Sequence, residues 1–308
     1  MSAVLRIGAF TQRRGAGKKD RKQIRKKGIF TDVIIRCDEK EVKMKTLLKV
    51  SGLKKYFKVE KMMFETKTEV KAVDDISFET GEKKITAIAG ESGSGKTTAA
   101  RCIAGLEFPD AGSMLFRDRE IDFTEPEMRR KIQYIFQDTY SSLNPRMRVK
   151  DIISEPAAFH FGIKGRKRIE TAARYMDMVG LPENLLEKYP HELSGGQRQR
   201  AGMARALTMD PELLIADEPV SSLDVSIQAQ ILKLLVELNK NRGISIIFIT
   251  HDLRVVKNLA HDLIVMKDGK IAESGSVDAV YSNPKSQYTK LLLSSIPGSP
   301  YKFEDRDI

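Results

Sequence analysis

The run Gly90-Glu91-Ser92-Gly93-Ser94-Gly95-Lys96-Thr97 constrains the fold of this chain more than any other segment. It follows an apolar stretch, Lys84 to Ala89, whose pattern predicts a buried strand, and it precedes a helix predicted from Lys96 to Leu106. Strand, glycine-rich turn and helix together form a phosphate-binding P-loop. Glycines let backbone N–H groups converge on a phosphate, and the helix adds the positive end of its dipole. Lys96 is placed to bind the β and γ phosphates of ATP, and Thr97 to put its hydroxyl on Mg²⁺. Glu91, Ser92, Ser94 and Thr98 complete the set expected to contact the nucleotide.

Such a loop needs an α/β core with a mostly parallel sheet, and the rest of the chain supplies it. Strands are predicted at Leu47 to Val50, Val70 to Glu79, Ser113 to Phe116, Ile132 to Phe136, Leu213 to Ala216, Ile244 to Thr250 and Leu263 to Met266. Most of the later ones carry the continuous apolar runs of strands covered on both faces. The charged stretch Lys58 to Lys71 reads as a loop. Apolar residues near helical spacing make Val149 to Met209 read as helix throughout, a helical subdomain of about residues 140–210 inserted into the core. Leu213-Leu214-Ile215-Ala216-Asp217-Glu218-Pro219 is an apolar strand ending in two acids, where Pro219 stops the ladder. Ligands sit at such strand ends. Asp217 is expected in the Mg²⁺ shell, and Glu218 is expected to orient and deprotonate the attacking water.

Composition excludes several other classes. The chain has 308 residues, of which 41% are hydrophobic, enough for a sizeable core. No apolar run approaches the roughly 20 residues that cross a bilayer. The first residues lack the apolar core of a secretory signal, so the chain is expected to stay in the cytoplasm. Cys37 and Cys102 fit neither a metal knuckle nor a disulfide framework and are expected to be reduced. The net charge of +11 points toward nucleic acid only until it is located. Residues 1–43 hold 13 Lys and Arg against 5 Asp and Glu, which is +8 and leaves +3 for the remainder. Residues 1–43 read as a basic tail, either a contact for anionic lipid or RNA or a solvated extension, with Met44 as an alternative start. No nucleic-acid partner is expected for the body of the chain.

A second anion-binding feature follows the helical region. In Leu193-Ser194-Gly195-Gly196-Gln197, Ser194 can cap a helix beginning near Gly196, and the glycines expose N–H groups at its N-terminus. With Arg198-Gln199-Arg200 after it, this motif resembles the signature of ABC ATPases. The resemblance implies that two such domains pair head to tail, each presenting its Ser194 loop to the ATP held by Lys96 of the other. It also implies roles for further positions in order. Gln137 matches the glutamine that couples the Mg²⁺ site to the helical subdomain, and His251 the switch histidine that contacts the γ-phosphate. Ser222-Leu223-Asp224 matches the loop that crosses between subunits. Phe57 matches the aromatic that stacks on adenine, with Tyr56 as the other candidate. The implied fold is an ABC-type P-loop core with an antiparallel β subdomain and the helical insert, spanning residues 44–295.

Within that family, Ser141-Ser142-Leu143-Asn144-Pro145-Arg146, Asp224-Val225-Ser226-Ile227-Gln228-Ala229-Gln230 and Tyr288-Thr289-Lys290-Leu291-Leu292 resemble the peptide and nickel importer ATPases. Arg129-Arg130-Lys131-Ile132-Gln133 resembles the second of the two ATPase subunits such importers use. The expected partners are membrane-spanning permease subunits, a paralogous ATPase subunit or a second copy, and indirectly a solute-binding protein. The expected location is the cytoplasmic face of the membrane. Val220, Ser222 and the segment Asn283 to Gln287 depart from the family pattern without touching its chemistry. Residues 276–308 read as the C-terminal extension of the group; Tyr301 to Ile308 has no cysteine, so no iron-sulfur cluster is expected. The competing class is a non-transport ABC ATPase acting as a clamp in a soluble enzyme or nucleic-acid complex. Because the nucleotide residues all lie beyond residue 44, deleting residues 1–43 is expected to leave ATPase turnover intact; a large loss in a steady-state assay overturns this.

Overall fold

Short apolar runs become the strands of a sheet that is covered on both faces. The computed structural model describes residues 45–60, 67–221 and 223–296. The expectations for residues 1–43, Cys37, Ser222 and the end of the C-terminal extension lie outside them. The strands are β1 (Thr46–Glu60), β2 (Lys67–Gly81), β3 (Ile85–Ala89), β4 (Ala111–Phe116), β5 (Arg119–Glu120), β6 (Ile132–Ile135), β7 (Leu213–Asp217), β8 (Ser245–Thr250), β9 (Asp262–Lys267) and β10 (Lys270–Ser276). The helices are α1 (Lys96–Ile103), α2 (Pro126–Lys131), α3 (Thr139–Ser142), α4 (Val149–Phe161), α5 (Arg166–Met178), α6 (Gly195–Leu207), α7 (Val225–Arg242), α8 (Leu253–Leu259), α9 (Val277–Ser282) and α10 (Gln287–Ser294).

Two sheets form, ordered β2-β1-β4-β5 and β10-β9-β3-β8-β7-β6. In the second, β9, β3, β8, β7 and β6 run parallel and β10 returns antiparallel on β9. Every residue of β3, β7 and β8 is buried, which is why these strands read as unbroken apolar runs instead of alternating ones. Alternation still decides the packing. Ile88, Ile215, Ile247 and Ile249 face a core shared with α1 and the antiparallel sheet, where Leu48, Leu53, Ile103 and Phe116 pack. Ala87, Ala89, Leu263 and Val265 face the opposite way, against α8, α9 and α10.

The parallel register aligns the carboxyl ends of four strands. Ala89 pairs with Thr250, Asp217 with Ile249, and Ile135 with Ala216. Gly90, Glu218, His251 and the residues after β6 therefore emerge at one edge of the sheet, where α/β proteins hold their ligands.

The antiparallel sheet corrects one expectation. The charged stretch from Lys58 to Lys71 is not a loop along its length: β1 runs to Glu60, β2 begins at Lys67, and Phe57 pairs with Val70 and Lys58 with Glu69. Backbone pairing in the hairpin overrides the low apolar content, because one face of the ribbon is solvated and tolerates charge. The helical region carries a second correction. Helices α4, α5 and α6 pack on one another, but helix is not continuous from Val149 to Met209. Gly162 ends α4 at φ 65 and Gly180 takes φ 67 after α5, and the path to α6 passes through 3-10 turns at Glu183–Leu185 and Pro190–Glu192. Glycine at a left-handed position and Pro182 and Pro190 interrupt what the apolar spacing alone would continue.

Helix α7 is tied to the sheet by a buried polar clamp. Asn239, 5% exposed, donates from Nδ2 to the Lys83 and Ile244 carbonyls, both at 2.9 Å. These carbonyls flank the starts of β3 and β8, so one side chain holds a helix end and two strand entries together. Asn239→Ala is expected to cost about 1–3 kcal/mol, read as a lower urea midpoint, with ATP binding retained at low denaturant; an unchanged midpoint overturns it.

Candidate functional site

The P-loop closes tightly against the sheet. Gly95 sits at φ 98, and a Cβ there would lie 2.0 Å from the Ala72 carbonyl oxygen, so only glycine fits this step into α1. Lys96 is 4% exposed, and its Nζ donates to the carbonyls of Gly90 at 2.9 Å and Glu91 at 2.6 Å and to Ser94 Oγ at 3.2 Å. Burial pushes the ammonium below the ordinary lysine range, and the charges of Glu218, Asp217 and Glu91 work against that shift. The cation is thus held by loop carbonyls and surrounded by carboxylates.

At the end of β7 the Asp217 carboxylate, 2% exposed, accepts from two sides. Thr97 Oγ1 donates to Oδ1 at 3.1 Å, and the Tyr134 hydroxyl donates to Oδ2 at 2.6 Å. Burial raises the Asp217 pKa above the usual carboxylate range, and these two donors pull it back. Burial, reinforced by the Asp217 charge, pushes the Tyr134 phenol far up, so it stays protonated and remains a donor.

Glu218 comes next and adopts φ 41, a left-handed conformation that a residue with a Cβ rarely takes. Its N–H donates to the Ile249 carbonyl at 3.1 Å, which anchors the turn on β8. Its Oε2 accepts from Gln137 Nε2 at 3.2 Å and lies 3.1 Å from His251 Nδ1. Three expected residues from three strand ends thus meet on one oxygen atom.

These groups share a cleft of about 1010 Å³, lined by Phe57, Val70, Glu91 to Gly93, Gly95 to Thr98, Gln137, Glu218, His251 and Leu292, among others. Phe57 is 37% exposed, and its cross-strand partner Val70 lines the cleft beside it. The Lys55 ammonium lies 5.3 Å from the Phe57 ring centre. Tyr56 does not line the cleft; its hydroxyl donates to Asp74 at 2.6 Å, a bond that raises its pKa to about 12.

Ser194, Gly195, Gly196, Gln197 and Asp224 are likewise not among the residues lining this cleft. Ser194 caps α6: its Oγ accepts the Gln197 N–H at 3.3 Å, and Gln197 Oε1 accepts the Ser194 N–H at 2.9 Å. This capping box fixes the loop with its own side chains. Gly196 packs where a Cβ would be 2.5 Å from Ile227 Cγ2. Asp224 caps α7, accepting from the Ser226 and Ile227 N–H groups at 3.1 and 3.0 Å. The two halves of the predicted site are therefore built separately in one chain.

The family described as ABC transporter matches residues 73–221. A dipeptide transport ATP-binding protein, DppF of Haemophilus influenzae, is 42% identical over 83% of this chain and 80% of its own length. The chain belongs to the ABC transporter ATPase family. The oligopeptide transport ATP-binding protein OppF of Bacillus subtilis is 45% identical over 82% of each chain. Among solved structures, a dimeric post-hydrolysis ATP-binding cassette bound to ADP and Pi superposes with a TM-score of 0.67 and 29% identity, covering 75% of this chain and 99% of that one. The cbiO1 subunit of Clostridium perfringens, part of the ABC transporter complex cbiONQ, gives 0.66 and 29%, covering 82% and 96%. The ABC ATPase fold expected from the sequence is confirmed, and with it ATP binding and ATP hydrolysis.

Tyr134 is one site residue of this ABC ATPase that sequence reasoning missed. Its signal is the β6–β7 register: Tyr134 pairs with Ile215, which carries its hydroxyl to the last residue of β7. Tyr134→Phe keeps the ring and removes one of two donors that orient Asp217. With Asp217 in the Mg²⁺ shell, as the sequence predicts, an increase of about tenfold in the Mg²⁺ concentration for half-maximal ATPase activity is expected, since a group that orients a metal-binding carboxylate is worth about 10–100-fold. An unchanged Mg²⁺ titration overturns the orienting role.

Proposed function

We propose that this ABC ATPase is the nucleotide-binding subunit of a membrane peptide importer and that the cleft described above hydrolyses the ATP that drives import. The observation that carries the reading is the convergence of Gln137 and His251 on Oε2 of Glu218, at the strand edge that also holds Lys96, Thr97 and Asp217. The names of the relatives, dipeptide and oligopeptide transport ATP-binding proteins, support peptide over nickel as cargo and give the clamp reading no support.

In this mechanism the Phe57 ring stacks on adenine, with Val70 beside it, and the triphosphate lies along the P-loop. Lys96 exchanges the Gly90 and Glu91 carbonyls for the β and γ phosphates. The backbone of Glu91 to Gly95 and the side chains of Ser92, Ser94, Thr97 and Thr98 cradle the phosphates. The donors fit Mg²⁺: Thr97 Oγ1 and Asp217 Oδ1 are hard oxygens 3.1 Å apart, and Gln137, holding Glu218 through Nε2, has its amide oxygen for the same shell. Bound with ATP, Mg²⁺ supplies charge neutralisation across the β and γ phosphates. Glu218, with Oε2 occupied by Gln137 and His251, turns Oε1 to the attacking water and takes its proton. His251 reaches the γ-phosphate from its other ring nitrogen.

Ser194, Gly195, Gly196, Gln197 and Asp224 act on the ATP of a second ATPase subunit in a head-to-tail dimer, a paralogue in the importer. Their place outside the cleft of their own chain supports this, as do the dimeric cassettes among the structural relatives. By analogy with the transport ATP-binding relatives, the chain works from the cytoplasmic face of the membrane on permease subunits; among the described residues no helix is long and apolar enough to cross a membrane. A solute-binding protein delivers the peptide to them. In proteoliposomes carrying the co-purified membrane subunits, Glu218→Gln is expected to lower hydrolysis by about 10²–10⁴-fold and to abolish peptide uptake while ATP binding persists. Near-normal turnover in that variant places the base elsewhere, and wild-type hydrolysis that drives no uptake of labelled peptides overturns peptide import.

A further inference from the structure

The C-terminal helix reaches the P-loop, although it lies well beyond the residues 73–221 that the family description matches. The Glu91 N–H donates to the hydroxyl of Tyr288 on α10 at 3.2 Å. The carbonyl of the same residue accepts from Lys96 at 2.6 Å and from the Ser94 N–H at 3.2 Å. Glu91 is thus held through both of its backbone groups, and one of the holders comes from 197 residues downstream. One turn further along α10, Leu292 lines the nucleotide cleft. Leu292 also borders a second cavity of about 330 Å³ that His251 lines as well.

Helix α10 is itself fixed, so these contacts are positioned by the fold. Glu273 of β10 accepts from the Lys285 and Ser286 N–H groups at 2.8 and 3.0 Å, which pins the entry to the helix. Tyr288, 9% exposed, and Leu293, 2% exposed, pack in the same cluster as Ala87 and Ala89 of β3. Those two small residues let the helix approach the strand that feeds the P-loop. The Lys267 ammonium stands 4.9 Å from the centre of the Tyr288 ring and holds its orientation.

We propose that Tyr288 is a positioning residue for the nucleotide and α10 a wall of its site: the hydroxyl fixes the Glu91 backbone in the shape that receives phosphate, and Leu292 bounds the cleft. The inference rests on the ATP-site reading above. Preorganising a loop lowers the ordering cost of binding, and a single hydrogen bond of this kind is worth about two- to twelvefold in an equilibrium constant. Tyr288→Phe removes the hydroxyl and keeps the ring.

The test measures ATP binding to the full chain by calorimetry and steady-state hydrolysis, with Lys96→Ala in parallel. Tyr288→Phe is expected to raise Kd and KM for ATP by about three- to tenfold, with kcat within twofold and the melting temperature of the nucleotide-free protein unchanged. Unchanged or tighter ATP binding overturns the inference, and so does a loss confined to kcat. Should Tyr288→Phe lower the melting temperature, Leu292→Ala, at a half-buried position facing the cleft, carries the same test, with Kd expected to rise at least twofold and an unchanged Kd overturning the wall. Wild-type protein that binds no ATP, or Lys96→Ala that binds as wild type does, removes the nucleotide reading and this inference with it. Wild-type binding that is sensitive to Lys96→Ala but not to Tyr288→Phe removes this inference alone.

Discussion

The parallel pairing of β3, β8 and β7 fixes where everything else in the site can stand. With Ala89 opposite Thr250 and Asp217 opposite Ile249, three chain segments leave the sheet at one level and have to turn there. A slip of one residue in either pairing would exchange the two faces of the strand. Ile249 would then leave the core shared with α1 and Asp217 would leave Thr97. The packing of isoleucines on one face and alanines on the other specifies the register, so the hydrophobic core indirectly sets the distance between Thr97 and Asp217. This links apolar burial far from the edge to polar geometry on it.

What that geometry does is place charge where water is excluded. Asp217 and Lys96 are both almost fully buried, a costly arrangement unless each is hydrogen-bonded. Asp217 is held by Thr97 and Tyr134, Lys96 by the carbonyls of its own loop. Neither pair is a direct ion pair, although their charges act on each other. The arrangement leaves Lys96 able to exchange weak carbonyl partners for phosphate oxygens without breaking a salt bridge. Glu218 adds backbone strain at φ 41, a cost of order 1–3 kcal/mol for a residue with a Cβ. Its bond to the Ile249 carbonyl and its side-chain contacts with Gln137 and His251 maintain that conformation.

Much of this was legible in the sequence because the motifs are local. The P-loop, the Asp217-Glu218 pair and the Ser194 cap each occupy a few consecutive residues whose spacing states their geometry. The parallel strands were legible because double burial writes itself as an unbroken apolar run. Of the β1–β2 pair only the charged ends, from Lys58 to Glu60 and from Lys67 to Glu69, were not, because they are held by cross-strand bonds and their charged residues imitate a loop. Helix α7 was hidden for a related reason: its N-terminus is signalled by Asp224, but its buried positions, among them Ile231, Leu234, Leu235 and Leu238, adjoin other apolar residues and leave no clean stripe. Tyr134 and Tyr288 escaped because their roles depend on partners 83 and 197 residues away. No local pattern marks a tyrosine as the donor to a buried acid or the acceptor of a loop amide.

The remaining step is why one chain should hold both a complete P-loop and a signature loop that does not line the same cleft. Within the chain the signature is finished: Ser194 and Gln197 satisfy each other at the start of α6, and the glycines pack against Leu223 and Ile227. A loop this well satisfied by local bonds does not need the nucleotide in order to fold. The P-loop is finished in the same sense, with Lys96 and Glu91 bonded inside the chain. Each half is therefore stable without the other, which is the condition a site shared between two subunits has to meet. In the proposed dimer it also separates assembly from chemistry, because Gln137 and His251 already meet on Glu218 within one chain. In the proposed head-to-tail dimer, what a partner adds is donors at the open face of the cleft. The strength of that addition depends on how closely the two surfaces approach over the bound phosphates.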